Sequence, residues 1–419
     1  MSLPPPHSEA GHHTGLLPKP RWQQRIDLAR VRRRQLELGH VIAGAPPTAA
    51  TLGDCLGLCL PVEFPDVPRT LPREEIDAFC NLRGYPGFGN NGSVFDYYFD
   101  NSGGRLRYRT LVAPYYMARH ERDYYTDENL PQGQRSAELV REALEHHLAQ
   151  GLDVGKLTVD AGNAVRATNL VYAGPVVNAF AKGLWPHAST MTDGTPAPGG
   201  RVFADFQVCA MDSALSLGVY CHENGHMLCD FPDLYRFGGV RAGCGNYCLM
   251  SFGAVADVRN PPQIGAYLKY RAGWGSPEMI VRGKVCRASA RGNCFFILEK
   301  SPGATEYFLI EHRERSGRDA ALAGEGLAIW HIDELGSNTA PDTAAQGHRH
   351  DECALVQADG RDDLAGVNDG DDSDLFSATG QPVFSASAEP SSRWWDGTPS
   401  GLQISRIRPF DGGLEFVVA

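Results

Sequence analysis

Hydrophobic and polar positions change rhythm twice along this chain. Up to about Ala50 the sequence is a Pro- and His-rich tail, in which His12 and His13 read as surface residues. A basic helix from Trp22 to Leu38 follows, then a Pro/Ala linker, AGAPPTAA. LGLCLPVEFPD is an apolar run closed by a Pro-Asp turn, the pattern of a buried strand. SVFDYYFDNSGGRLRYRTLV reads as a short helix, a Gly-Gly turn and an alternating strand with Leu106, Tyr108 and Thr110 on one side. In SAELVREALEHHLAQG, Leu139, Ala143, Leu144 and Leu148 recur at helical spacing and Gly151 supplies the stop, which predicts an amphipathic helix. His146 and His147 near its end suit the helix dipole. NLVYAGP is a short buried strand and GRVFADFQVCAMD an alternating one. A helix then runs from about Asp212 through Cys229, and another, PPQIGAYLKYRAGW, closes this region near Trp274.

Beyond Gly275 the helical period disappears. CFFILEK, EYFLIEHRE, GLAIWHID, CALVQAD and GLEFVVA are short β-rich runs between Gly-, Asp- and Ser-rich turns, which suggests a sandwich-like module. RASARGN, between Cys286 and Cys294, reads as a hairpin turn, and those two cysteines are either cross-strand partners or free thiols. The organisation expected is therefore an N-terminal tail and helix over 1–50, a mixed α/β domain over 51–275 and an all-β, sandwich-like domain over 276–419.

Composition narrows the function. The chain has 419 residues, 42% of them apolar and 21% charged, so it can build a sizeable core. A net charge of −11 disfavours nucleic acid as a partner, because phosphate neutralisation needs clustered Lys and Arg. No apolar run is long enough to span a membrane, and the N-terminus lacks the apolar stretch of a secretory signal. Eleven cysteines without a Cys-x-x-Cys pair show no zinc-ribbon spacing.

The chemistry concentrates in VYCHENGHMLCDFPDLY, Val219 to Tyr235. His222 and His226 stand four residues apart, so on a helix both imidazoles project from one face and can bind one ion. Glu223 is placed to take a proton from a water activated by that ion. A two-histidine site with an open position needs a third protein ligand. No glutamate occurs between Glu223 and Glu278, which disfavours a ligand from a second helix. Asp230 and Asp233 are the acidic residues close enough to return after a sharp bend; Asp257 would need a separate excursion, and Cys229 would have to face back along its own helix.

CHENGHMLCDFPDLY followed by GNYCLMSFG resembles the immune inhibitor A family of secreted zinc metallopeptidases, itself similar to the metzincin group. LCLPVEFPD, GNNGSVFDYYFDNSGGRLRY, GEGLAIWHIDE, VQADG and NDGDDSDLF extend the likeness from about Leu52 to the C-terminus. The resemblance implies a metzincin-like catalytic domain with Zn²⁺ on His222, His226 and Asp233, Glu223 as general base, and Met250 in a turn beneath the metal. It also implies secretion. The chain departs from the family where Cys229-Asp230 replace one glycine and where Arg236 follows Tyr235. Asp tolerates the left-handed backbone that glycine would supply, so Asp230 is expected to make the bend.

Asn368, Asp369, Asp371, Asp372 and Asp374 crowd one Gly-containing turn, with Asp359 nearby. Hard cations want such oxygen clusters, and the resemblance favours Ca²⁺ over a merely solvated loop. Tyr235 and Tyr247 are candidate oxyanion donors or packing residues; His187 and His331 read as structural. The leading expectation is a monomeric zinc endopeptidase acting on a protein or peptide, with the strand GRVFADFQV pairing with extended substrate. The alternatives are a catalytically idle binding relative, or a zinc hydrolase of a non-peptide bond. The segment before Ala50 is either a packing helix or an inhibitory pro-segment, and without cysteine it has no cysteine switch.

Overall fold

A computed structural model of the protein describes residues 19–38, 51–236, 243–365 and 367–419. His12, His13 and the AGAPPTAA linker lie outside these. The described residues divide into two compact units. The first takes Thr51–Asp100 and Gly104–Pro232 with the N-terminal helix as far as Asp27; the second takes Asp233–Ala419, Asn101–Gly103 and the helix from Leu28. The texture change near Gly275 falls inside the second unit.

The basic helix is α1 (Arg21–Glu37), and in the first unit the buried apolar run is β1 (Gly53–Glu63). Then come α2 (Arg73–Asn81), α3 (Val94–Asn101) and β2 (Leu106–Val112), where Leu106, Tyr108 and Thr110 are buried as their alternation predicts. Gly103 and Gly104 make the reversal between α3 and β2 with φ of 60° and 77°, a region closed to most side chains. β3 (Tyr116–Met117), α4 (Arg122–Tyr125), α5 (Gln134–Ala149), β4 (Thr168–Ala173), β5 (His187–Ala197), β6 (Arg201–Met211) and α6 (Leu217–Cys229) complete the unit.

The sheet order is β2-β1-β4-β6-β5, with β3 beside the end of β1. Every pairing is parallel except that of the edge strand β5, which runs antiparallel to β6. Leu139, Val140, Ala143 and Leu144 of α5 share a core with Leu58, Leu60, Leu170, Tyr172, Phe206 and Val208. Truncating one of these, as in Leu144→Ala, would cost about 2–5 kcal/mol. The alternating residues Asn169, Gln207 and Cys209 project to the opposite face, where they meet α6.

The second unit holds α7 (Ala254–Ala256), α8 (Ala266–Arg271), β7 (Glu278–Met279), β8 (Val285–Ala288), β9 (Phe295–Glu299), β10 (Glu306–Arg313), β11 (Gly326–Asp333), β12 (Cys353–Leu355), β13 (Ile404–Phe410) and β14 (Gly413–Val418). A five-stranded sheet, β12-β11-β10-β9-β7, and a three-stranded one, β13-β14-β8, share one apolar cluster. Phe296 meets Phe416 edge to face within it, at 5.5 Å. The chain is thus a mixed α/β protein with several sheets, as expected at that level.

Three local expectations are corrected. α6 begins at Leu217, five residues later than the pattern suggested, and α8 begins after Gly265 rather than at the Pro261-Pro262 pair. RASARGN is not a hairpin: β8 pairs with β14, and β9 with β10 and β7. Cys286 and Cys294 are therefore not cross-strand partners, and none of the eleven cysteines forms a disulfide. Among the described residues no helix is long and apolar enough to cross a membrane.

Candidate metal centre

Helix α6 is fixed at both ends and in its middle. Ser216 makes no side-chain cap; Asn90 substitutes, with its Oδ1 accepting from the Leu217 N–H at 3.2 Å and its Nδ2 donating to the Leu215 carbonyl at 2.8 Å. In mid-helix Asn224 points at the sheet. Its Oδ1 accepts from the Tyr108 hydroxyl at 3.0 Å, and that hydroxyl accepts from Asn169 Nδ2 at 3.0 Å. Gln207 Nε2 donates onward to Asn169 Oδ1 at 3.0 Å, and the Cys209 thiol donates to Gln207 Oε1 at 3.0 Å. This buried chain of satisfied polar groups sets the rotation of the helix. Residues two positions to either side of Asn224, namely His222 and His226, then project from the opposite face.

The bend after Cys229 is made by Asp230, at φ 54° and ψ 38°, with its N–H donating to the His226 carbonyl at 3.1 Å. This is the left-handed cap that glycine usually supplies, on the residue named for it from sequence. The bend brings the Phe231 carbonyl to 2.6 Å from His226 Nδ1. A carbonyl can only accept, so Nδ1 carries the proton and Nε2 keeps its lone pair, the second-sphere arrangement usual for ligating histidines. His226 Nε2 faces His222 Nε2 at 3.2 Å, with the rings at 87°. Two nitrogens each about 2.0–2.1 Å from a tetrahedral zinc stand about 3.3 Å apart. Asp233 offers the third donor, and the three ligand atoms lie within 4.8 Å of one another. The donor set fits zinc, and the two histidine nitrogens already stand at its spacing.

The rivals of Asp233 have other surroundings. The Asp230 carboxylate is held by Arg25, whose Nε lies 2.8 and 2.9 Å from its two oxygens and whose Nη1 reaches Asp205 at 3.0 Å. Asp257 accepts from the Arg259 and Asn260 N–H groups and closes its own turn. Cys229 is buried, and burial pushes its thiol pKa up, which raises the cost of offering a thiolate. Glu223 is buried on the same helix; burial and then its charge hold the Cys209 thiol protonated. Met250 is fully buried in the turn Leu249–Gly253. Its carbonyl accepts from the Leu234 N–H at 2.7 Å, one residue past Asp233, and the Leu234 carbonyl accepts from Cys244 at 3.0 Å.

Helix α1 reaches this centre. The Trp22 indole stacks on the His226 imidazole, 4.4 Å between centroids and 21° between planes, and its Nε1 is buried without a hydrogen-bond partner. The Arg21 N–H donates to Thr190 Oγ1 on β5 at 2.8 Å, and that hydroxyl donates to Asp205 at 2.7 Å.

The remaining sequence candidates divide as follows. Tyr247 is fully buried with its hydroxyl 2.7 Å from the Asp371 carbonyl and 3.1 Å from Asp374 Oδ2, so it anchors the acidic turn. Tyr235 packs edge to face on Phe252. His187 lies between the Trp185 carbonyl and Ser136, and His331 bonds Glu306 and stacks on Phe308 and Trp395. In the acidic loop Asp359 and Asp371 come together with Asp363, which lies outside the acidic run 368–374. Asn368 and Asp374 serve the turn instead, through Asn368 Nδ2 to Asp371 at 3.2 Å and the Asp371 N–H to Asp374 Oδ2 at 2.7 Å. Asp369 and Asp372 are outside the group of three. β6 is corrected as a substrate strand: β4 and β5 occupy both its sides, and the edge belongs to β5.

No family model matches the chain, and no curated protein sequence matches it.

Proposed function

We propose that the protein is a zinc-dependent endopeptidase of metzincin-like design, similar to the immune inhibitor A family. The observation that carries the reading is the pair of Nε2 atoms of His222 and His226, 3.2 Å apart with Asp233 beside them, on a helix that also presents Glu223. Zinc, when bound there, supplies an electrophile that polarises the scissile carbonyl and acidifies a water. With zinc in place, Glu223 would take the proton of the attacking water and pass it to the leaving amine. The Phe231 carbonyl holds His226 in the tautomer that ligates. β5 is the edge strand of its sheet, and an extended peptide can add to that edge, which gives affinity along the backbone and selectivity at alternate side chains. The carboxylates of Asp359, Asp363 and Asp371 are the corresponding proposal for Ca²⁺.

Helix α1 belongs to the same reading as an inhibitory cover. Trp22 shields one ligand, Arg25 grips the bend at Asp230, and Arg21 occupies Thr190 on the substrate edge. The test is casein cleavage by the Trp22→Ala/Arg25→Ala chain before chelation, after chelation and after zinc is restored. Activity lost on chelation and regained with zinc is the expected result. Zinc binding without cleavage of any protein substrate would overturn the peptidase reading and leave a binding protein or a hydrolase of another bond.

A further inference from the structure

A second set of metal donors stands in the second unit, away from the His-Glu-x-x-His helix in sequence. β11 ends at Asp333, whose Oδ1 accepts from the Leu335 N–H at 3.0 Å. The chain returns through Gly347-His348-Arg349-His350 into β12, and the pairing of Ile332 with Cys353 fixes that return beside Asp333. The Ser337 N–H adds a bond to the His350 carbonyl at 3.0 Å. As a result His348 Nδ1 and His350 Nε2 each lie 2.7 Å from the same oxygen, Asp333 Oδ2. Asp333 and His348 are buried, and His350 is nearly so.

The surroundings hold these rings in place. His350 stacks on Trp395 at 4.4 Å and 13°, and Trp395 stacks in turn on His331 at 4.6 Å and 8°. Asp333 and His348 line a cavity of about 420 Å³ together with Arg34, Glu37, Lys300 and Trp395. Three donors on one side and an open cavity on the other is the layout of a metal site that keeps a position for an exchangeable ligand.

We propose that Asp333, His348 and His350 bind a second zinc ion, through His348 Nδ1, His350 Nε2 and the Asp333 carboxylate. Tetrahedral bonds of about 2.0–2.1 Å put donors about 3.3 Å apart, so each nitrogen moves from Asp333 Oδ2 by roughly 0.6 Å to admit the ion. Entry replaces the hydrogen bonds to Asp333, and each imidazole exchanges its proton through solvent from the ligating nitrogen to the other ring nitrogen, with no net proton lost. His348 Nε2 then becomes an N–H and needs an acceptor. Glu37 Oε2, 3.5 Å away, is that acceptor, whereas Arg34, whose Nη1 is now 2.8 Å from Nε2, can only donate and must swing aside. Glu37 thus orients a ligand while Arg34 competes with the ion. The set carries two imidazoles and one carboxylate with no thiolate, a chemistry that suits Zn²⁺ better than Ca²⁺ or Mg²⁺.

Zinc titration of the full chain against a chromophoric chelator, with chain folding checked by circular dichroism, tests the assignment. Wild type is expected to bind two zinc ions, His222→Ala/His226→Ala one, and the same chain with His350→Gln added none. Cobalt added to His222→Ala/His226→Ala should give a visible ligand-field band that His350→Gln abolishes. Glu37→Gln in that background should weaken zinc about 10- to 100-fold, and Arg34→Ala should tighten it. A His222→Ala/His226→Ala chain that binds no zinc overturns the proposal whether or not the peptidase reading holds. So does unchanged binding after His350→Gln. One ion retained by His348→Gln/His350→Gln and none by His222→Ala/His226→Ala would leave the peptidase centre standing alone.

Discussion

The bend at Asp230 can be separated from the metal by substitution. Asp230 does two things of opposite sign: it holds a left-handed backbone conformation at φ 54° and it pairs with Arg25. A side chain in that conformation costs about 1–2 kcal/mol, less for Asp than for most residues. The pair joins an arginine side chain 35% exposed to an aspartate 23% exposed, so its value is nearer about 1 kcal/mol than that of a fully buried pair. Asp230→Gly removes both terms and should change stability by less than about 1 kcal/mol. Asp230→Ala keeps the strain, loses the local tolerance and loses the pair, and should cost about 2 kcal/mol. Neither should release zinc from the helix site. Asp233→Asn should weaken zinc there by more than about 100-fold, because partners outside the ligand sphere alone are worth 10- to 100-fold. Chelator competition in a His350→Gln background isolates the helix site, and urea melts give the stabilities. Zinc lost in Asp230→Gly but held at wild-type affinity in Asp233→Asn would refute the ligand assignment.

Three further outcomes are expected. Trp22→Ala/Arg25→Ala should raise kcat/KM on casein by about tenfold or more, since each 1.4 kcal/mol of lost cover is a factor of ten; an unchanged rate would make α1 a packing helix only. Burial depresses the His187 pKa from 6.5 to about 4, against a smaller opposing pull from the Trp185 carbonyl. The neutral ring therefore contributes roughly 3 kcal/mol, fully present above pH 6.5 and lost as pH falls towards 4. His187→Gln should flatten the stability profile in that window, and an unaltered slope would show that His187 is not its source. Ten of the cysteines are buried and Cys294 is half-exposed, so a thiol reagent should label Cys294 alone in the native protein and all eleven after unfolding. Native labelling that persists in Cys294→Ser would contradict this packing.

The sequence carried the elements of the first unit well, because period-two runs such as LRYRTLV and the helical stripe of SAELVREALEHHLAQG each have one dominant burial face. The bend at Asp230 was also legible, since few residues other than glycine tolerate that conformation. Strand order was not. Whether GRVFADFQV lay at an edge depended on β5, whose polar, Gly- and Pro-containing sequence HASTMTDGTPA gives no clear alternation. The parting of β8 and β9 was hidden for the same reason: turn residues mark a reversal without saying which sheet comes next. The Asn224–Tyr108–Asn169–Gln207 chain joins residues over a hundred positions apart, and no local pattern reports such a contact. Asp333, His348 and His350 left a weaker trace, a His-x-His spacing just before a short strand. Only the pairing of Ile332 with Cys353 reveals that an aspartate waits beside it.

The central claim is that Glu223 moves the proton in a zinc-dependent peptide hydrolysis. The direct measurement is kcat/KM on a quenched peptide for Glu223→Gln and its parent, both in the Trp22→Ala/Arg25→Ala chain and both at matched zinc content. Unchanged zinc and a rate lower by about 10²- to 10⁴-fold, the usual worth of a positioned general base, are expected. Equal rates at equal zinc would contradict it.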